Sequence, residues 1–175
     1  QNIHLFNGWK SNNAFKINRK VVIPVYGGWG KGPFIDDFSG KWKLHYGVED
    51  KLRDIDVVMA SLDGRREYVT ITQALRAAFE LGQSAKIEST YFLITAYKKG
   101  TLHLTFRDED ILRRFNVAAC MGKGFIPQDY GRKAYRDCST EEKEVIESFE
   151  NRETYERNLG QPLFGGSSGT AGLLE

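Results

Sequence analysis

The chain lacks a methionine at position 1. It opens Gln1-Asn2-Ile3-His4 and carries only 2 methionines among 175 residues. That opening reads as the interior of a longer protein or a processed product, and hence as one module of a parent chain. Cysteine is as scarce, at Cys120 and Cys138. Neither falls in a CxxC or Cys/His ligand spacing, so no zinc site is expected. Without a disulfide framework the two are read as reduced and cytoplasmic. Histidine is limited to His4, His45 and His103, with no HExxH, HxH or GxSxG arrangement. No apolar run approaches the length of a membrane span, and no signal peptide is visible. The prolines are Pro24, Pro33, Pro127 and Pro162. No two are adjacent, which removes the Asp/Asn-Pro-Pro-aromatic active site of adenine-type DNA methyltransferases. The glycines of 27–32 lack the spacing and closing Lys-Ser/Thr of a P-loop. Asp36-Asp37 and Asp108/Asp110 are more cheaply explained by capping and solubility than by metal binding. The expectation is no catalytic residue, no metal and no cofactor in this chain.

What is present suits one domain. Hydrophobic residues make up 41% and aromatics 13%, enough to fill a core at this length. A net charge of +2 says little, but its distribution is uneven. Residues 1–44 carry seven Lys and Arg against Asp36 and Asp37, whereas 138–175 are dominated by Glu. A basic head of this kind permits a polyanion-binding face.

Periodicity predicts the elements. Residues 14–25 alternate as a strand or hairpin, with Asn18-Arg19 as its turn and Pro24 as its end. Residues 26–40 read as a long glycine-rich loop. Leu52, Ile55, Val58, Met59 and Leu62 predict a helix over 48–62, stopped by Asp63-Gly64. Thr70 and Gln73 form a capping box for a second helix over 70–81 that buries Ile71, Leu75, Ala78 and Phe79. Residues 87–97 and 101–106 predict an antiparallel hairpin turning at Lys98-Lys99-Gly100, with Thr101, His103 and Thr105 on one side of the second strand. Asp108 caps a third helix over 108–118, with Ile111, Leu112 and Phe115 inward and Arg113 and Arg114 at least partly outward. Residues 122–132 read as a second Gly/Pro loop. Ser139 caps a fourth helix over 139–150 that buries Val145, Ile146 and Phe149, and 154–159 add one more turn. Residues 161–175 read as a flexible Gly/Ser-rich tail.

Basic residues interleaved with aromatics are the best positive signal. Lys98 and Lys99 sit at the hairpin tip, followed by Arg113, Arg114 and Lys123, and then Arg132, Lys133 and Arg136. Trp9, Trp29 and Trp42 lie among Lys10, Lys31, Lys41 and Lys43. Such residues hold phosphates and stack bases. The competing reading is plain: tip lysines also solubilise, and tryptophan more often packs in a core.

Several stretches resemble a C-terminal domain of unknown function attached to methyltransferase-like (adenine-type DNA methyltransferase) proteins of bacterial mobile elements and phages. They are Asn2-Ile3-His4 with Asn7-Gly8-Trp9-Lys10, Lys16-Ile17-Asn18 with Lys20-Val21-Val22-Ile23-Pro24, and Tyr97-Lys98-Lys99-Gly100-Thr101 with His103 and Phe106. Phe115-Asn116, Gly122-Lys123-Gly124 with Pro127 and Tyr130-Gly131, and the helix 141–150 complete the set. The resemblance spans roughly 1–160. It implies an accessory domain whose catalytic methyl-transfer partner lies N-terminal in the parent chain, and it supplies no catalytic residues. The expected fold is α+β: a single domain over 1–160, with a small antiparallel sheet and a long β-hairpin packed by about four helices. The expected function is a non-catalytic DNA-engaging, target-recognition module. Lys98, Lys99, Arg113, Arg114 and Lys123 are its phosphate contacts, Lys10, Lys16, Trp29 and Lys31 are additional candidates, and the acidic helix 139–150 faces away. The alternative is a protein–protein docking module for a catalytic domain or sister chain.

Overall fold

The computed structural model describes residues 16–25, 29–30, 43–44, 46–97 and 100–165. Its main sheet has four antiparallel strands: β1 (Lys20–Pro24), β4 (Ile87–Glu88), β5 (Phe92–Tyr97) and β6 (Thr101–Phe106), in the order β1-β6-β5-β4. Two further short strands, β2 (Trp29–Gly30) and β3 (Lys43–Leu44), pair with each other. The helices are α1 (Tyr46–Asp63), α2 (Ile71–Glu80), α3 (Glu109–Gly122), α4 (Thr140–Phe149) and α5 (Arg152–Arg157). The fold is α+β, as expected.

Alternation along the strands decides which face is covered. Val21, Ile23, Ile87, Phe92, Ile94, Ala96, Leu102, Leu104 and Phe106 point to one side and are buried. They share a single apolar cluster with Leu52, Ile55, Met59 and Leu62 of α1, with Ile71, Leu75, Ala78 and Phe79 of α2, and with Ile111 and Phe115 of α3. Those three helices therefore lie on one side of the sheet.

The local signals for the helices are realised in detail. The Thr70 Oγ1 accepts the Gln73 N–H at 3.0 Å while Gln73 Oε1 accepts the Thr70 N–H at 3.0 Å. Asp108 Oδ1 accepts the N–H of Asp110 at 2.7 Å and of Ile111 at 3.3 Å. Ser139 and Glu142 form the same reciprocal box on α4. Gly64 and Gly82 take φ of 72° and 70° past the ends of α1 and α2, the left-handed conformation in which a Cβ would be strained.

Four expectations are corrected. The predicted strand 87–97 is two strands, because Ser89 closes a tight turn: its N–H donates to Phe92 O at 2.9 Å and its hydroxyl accepts the Phe92 N–H at 3.1 Å. The chain thus folds β4 back onto β5. Of the predicted strand or hairpin over 14–25, residues 14–15 lie outside the described residues and β1 is the regular strand among the rest; Ile17 is gripped by Asn116, which accepts its N–H at 2.8 Å and donates to its carbonyl at 3.2 Å. Val145 is exposed rather than buried, because Ile146 and Phe149 take the inward side of α4. The last turn begins earlier than predicted, as Asn151 accepts the Thr154 N–H at 3.0 Å and starts α5 at Arg152. The predicted loop 26–40 lies outside the described residues except for β2. The predicted tail is fastened as far as Gly165, whose N–H donates to Ser61 O at 3.2 Å, and residues 166–175 lie outside the described residues.

Beyond residue 116 a second, smaller cluster forms. Val117 and Cys120 of α3 meet Ile126, Tyr130, Cys138, Ile146, Phe149 and Tyr155. Tyr130 packs edge-on against Phe149 and Tyr155, with ring centroids 5.6 and 5.2 Å away. Helix α3 therefore serves both cores.

Among the buried polar residues, Asp56 is the least exposed. Asp56 on α1 is fully buried; its Oδ2 accepts the Ile71 N–H at 2.8 Å at the start of α2, while its Oδ1 has no hydrogen-bond partner. Burial pushes its carboxyl up to about 7, against the pull of the Ile71 hydrogen bond.

Candidate nucleic-acid interface

The predicted cationic patch does not assemble from α3. Of the two arginines expected to lie at least partly outward, Arg113 is partly exposed and Arg114 is buried, and both are paired. Arg113 makes a two-pronged ion pair with Glu150, at 2.6 and 2.8 Å, and Tyr130 also donates to that carboxylate at 3.0 Å. Arg114 is 5% exposed: its Nη1 donates to Leu62 O at 3.1 Å and Gly165 O at 2.9 Å, and its Nε meets Asp110 at 2.7 Å. Both guanidiniums hold helices together and are spent as charges. For the same reason the acidic helix does not face away from this region: the carboxylate capping α4 lies against α3.

Lys123 is exposed at the C-terminal end of α3, about 14 Å along the helix from Arg113 and Arg114. Lys16 lies at the seam between the two cores, its ammonium bonded to Phe149 O and 4.9 Å from the Phe149 ring centre. Lys10, Lys31, Lys98 and Lys99 lie outside the described residues, and Trp29 is described only as part of β2. Near Lys16 a cleft of about 500 Å³ is lined by Glu109, Asp110 and Glu150 as well as Lys16, Arg113 and Arg157. Its mixed signs do not select a polyanion.

The side of the main sheet facing away from the helices differs in composition. Register places Lys20, Thr105 and Leu93 in one row, with Glu88 at the edge; Val22, His103 and Thr95 form a second row, and Pro24, Thr101 and Tyr97 a third. None of these side chains belongs to the apolar cluster under the sheet. Val22, Leu93 and Tyr97 are 36%, 38% and 45% exposed, a large apolar surface for strands not capped by a helix among the described residues. The Tyr97 and His103 rings lie 4.4 Å apart, tilted by 47°.

Among the described strand residues, the charges on this face are Lys20 and Glu88. Lys20 is exposed on it, and Lys98-Lys99 follow Tyr97 directly in sequence. Glu88 is its one carboxylate among the described strand residues, at the edge and 3.4 Å from Arg107. Burial, assisted by the Lys20 charge, holds the His103 imidazole below its ordinary value, so it is neutral at pH 7. Its Nδ1 is enclosed without a hydrogen-bond partner.

Sequence reasoning singled out Lys98 and Lys99 but missed Lys20, Tyr97 and Thr95. The signal was available: extending the alternation of 101–106 across a tight hairpin puts Tyr97 opposite Thr101 and beside His103. Among the described residues no group of three or more His, Cys, Asp or Glu is placed to hold a metal ion, and no helix is long and apolar enough to cross a membrane.

No curated protein and no solved structure matches the chain. A family model does match, over residues 2–124, and it ends where α3 gives way to the second core. Of the resemblance read from the sequence over 1–160, the match shows a domain of unknown function over 2–124; Pro127, Tyr130-Gly131 and the helix 141–150 lie beyond it. From β1 to the end of α3, the chain belongs to the family described as Domain of unknown function (DUF4942).

Proposed function

We propose that the domain engages DNA through the open face of its main sheet, as a non-catalytic recognition module. The observation that carries this reading is a sheet face that no described helix covers, with Lys20 exposed on it and Glu88, the one carboxylate among its described strand residues, paired at the edge with Arg107; Lys98-Lys99 follow Tyr97 in sequence. Phosphate binding of this kind positions the protein without reading bases. The resemblance noted above extends the proposal to a place beside a methyl-transfer domain, in cytoplasmic DNA methyltransferase-like proteins of bacterial mobile elements and phages. In that setting the domain would hold the substrate while its neighbour does the chemistry.

The test is a titration of labelled DNA at low and moderate salt with the wild type and Lys20→Glu. Binding should weaken with salt through counterion release, and the variant should bind more weakly with a salt slope smaller by about 1. Absence of any binding at low salt refutes the reading.

A second reading has its own observation. An open groove of about 660 Å³ runs along α2 and β4, lined mainly by apolar residues such as Val69, Ala74, Ala77 and Leu81, with Gln73, Gln83, Lys86 and Glu88 also on its walls, and Leu81 is 81% exposed. An apolar surface of that kind fits docking onto a catalytic domain or sister chain, and its binding would be nearly insensitive to salt.

A further inference from the structure

We propose that the smaller core carries a binding pocket for a small organic cation: a single ring, or an alkyl body of similar size, bearing an ammonium group. The pocket lies within residues 127–155, shares no residue with the main sheet and does not rest on the DNA reading.

The pocket opens beside α4 and has a volume of about 180 Å³. Its inner walls are Tyr130, Cys138, Ile146 and Tyr155, all buried members of the smaller core. Their polar atoms are already bonded. Tyr130 donates to Glu150 at 3.0 Å, Tyr155 to Lys133 O at 2.7 Å, and the Cys138 thiol to Ala134 O at 3.4 Å. What the walls offer an occupant is therefore ring carbon, aliphatic carbon and sulfur. Val145 and Pro127 are the exposed apolar members of the lining, so the mouth is apolar on one side as well. A hydrophobic body gains by entering such a space, and water does not.

Size limits that body. An apolar cavity of about 150 Å³ holds one benzene molecule. The pocket thus has room for one six-membered ring with a short substituent, and not for a nucleoside.

Charge selects the substituent. The remaining lining residues set three carboxylates, Asp129, Glu141 and Glu142, against one cation, Lys133. Lys133 is held by Glu142 at 2.8 Å, while Glu141 has a neutral partner, the Ser139 hydroxyl, at 3.2 Å. Two negative charges are left in excess. Asp129 and Glu141 are exposed, so they sit on the solvent side of an apolar interior. A ring that enters with its substituent outward brings that group among carboxylates, where an ammonium is attracted and an anion repelled.

The experiment is an NMR chemical-shift titration of the isotope-labelled full chain with benzylammonium, benzyl alcohol and benzoate, which share a ring and differ in charge. Benzylammonium should bind with a Kd of about a millimolar or tighter. It should bind about threefold more tightly than benzyl alcohol, with benzoate weakest, and moderate salt should narrow these differences. The shifts should centre on residues 127–155. The double variant Asp129→Asn/Glu141→Gln should lose the preference for the cation and bind benzyl alcohol as wild type does. Val145→Trp, at an exposed position, should cover the mouth and weaken all three ligands about tenfold or more, the loss expected when the apolar contact is blocked. Circular dichroism melts establish that both variants fold. Benzyl alcohol binding as tightly as benzylammonium, or a double variant that keeps the preference, overturns the cationic ligand. Shifts centred elsewhere, or undiminished binding to folded Val145→Trp, overturn the pocket. No binding of any of the three at about 10 mM, tenfold above the expected Kd, overturns the site altogether. DNA binding is left untouched by every one of these results.

Discussion

Asp56 should make the domain lose stability as pH rises from acid to neutral, the reverse of the usual behaviour of a carboxylate. Its folded-state value is about 7 against an ordinary 3.8. Below 3.8 the group is protonated in both folded and unfolded chains and contributes no difference. Between 3.8 and 7 the unfolded chain releases the proton while the folded chain keeps it, so unfolding becomes easier with each increment of pH. Above 7 both forms are ionised and the loss levels off. A displacement of about 3 units at about 1.4 kcal/mol each gives a loss of about 4 kcal/mol across that window. This is a large part of the 5–15 kcal/mol that typically holds a domain together. The cause is geometric: one oxygen is occupied by the Ile71 N–H, and the other is enclosed without a partner. Asp56→Asn keeps an acceptor for Ile71 and cannot ionise. Urea denaturation of both proteins from pH 4.5 to 8 tests this. The Asn variant should gain on the wild type by several kcal/mol between those limits, whatever the isosteric change costs at the acid end. Parallel stability curves for the two proteins would show that Asp56 titrates normally, and the reasoning would fail.

Two other perturbations follow from the same accounting. Glu150→Ala should destabilise the fold by about 3 kcal/mol in chemical denaturation, because it strands the nearly buried Arg113 without its counter-charge and removes the acceptor of Tyr130. Ser139→Ala removes the hydroxyl that accepts the Glu142 N–H at 3.2 Å and should cost about 1 kcal/mol, seen as a lowered denaturation midpoint.

Much of the fold was legible in local chemistry. Thr70 with Gln73, Asp108, and Ser139 with Glu142 each announce a helix start through a side-chain oxygen three residues from the N–H it serves, and all three do so here. The β5–β6 hairpin was equally visible, because its alternation is unbroken on both strands. What escaped was long-range. The fates of Arg113 and Arg114 depend on Glu150, Leu62 and Gly165, which lie 37 to 52 residues away in sequence. Helical spacing cannot distinguish an arginine facing water from one facing another helix's carbonyl. The β4–β5 turn escaped for a different reason: Ser89 and Thr90 fit a strand by type, and only the hydroxyl contact to Phe92 shows that the chain reverses. For the candidate interface, the sequence indicated the tip lysines but not the face beside them, because that face is composed of alternate residues of β1, β5 and β6, with Glu88 of β4 at the edge, which only the strand register brings together.

Helix α3 has a consequence for how the family region meets its surroundings. Ile111 and Phe115 seat it in the larger core, while Val117 and Cys120 seat it in the smaller. The matched region ends at 124, so it includes the whole helix but not the residues that cover its second half. The DUF4942 unit is thus left with an adhesive edge: an arginine seeking a carboxylate and an apolar stripe seeking a lid. In this chain, residues 126–155 supply both. Relatives that follow the shared region with a different sequence must meet the same two demands, or carry different residues at the positions of Arg113, Val117 and Cys120. The helix that closes the domain therefore sets what can be joined to it.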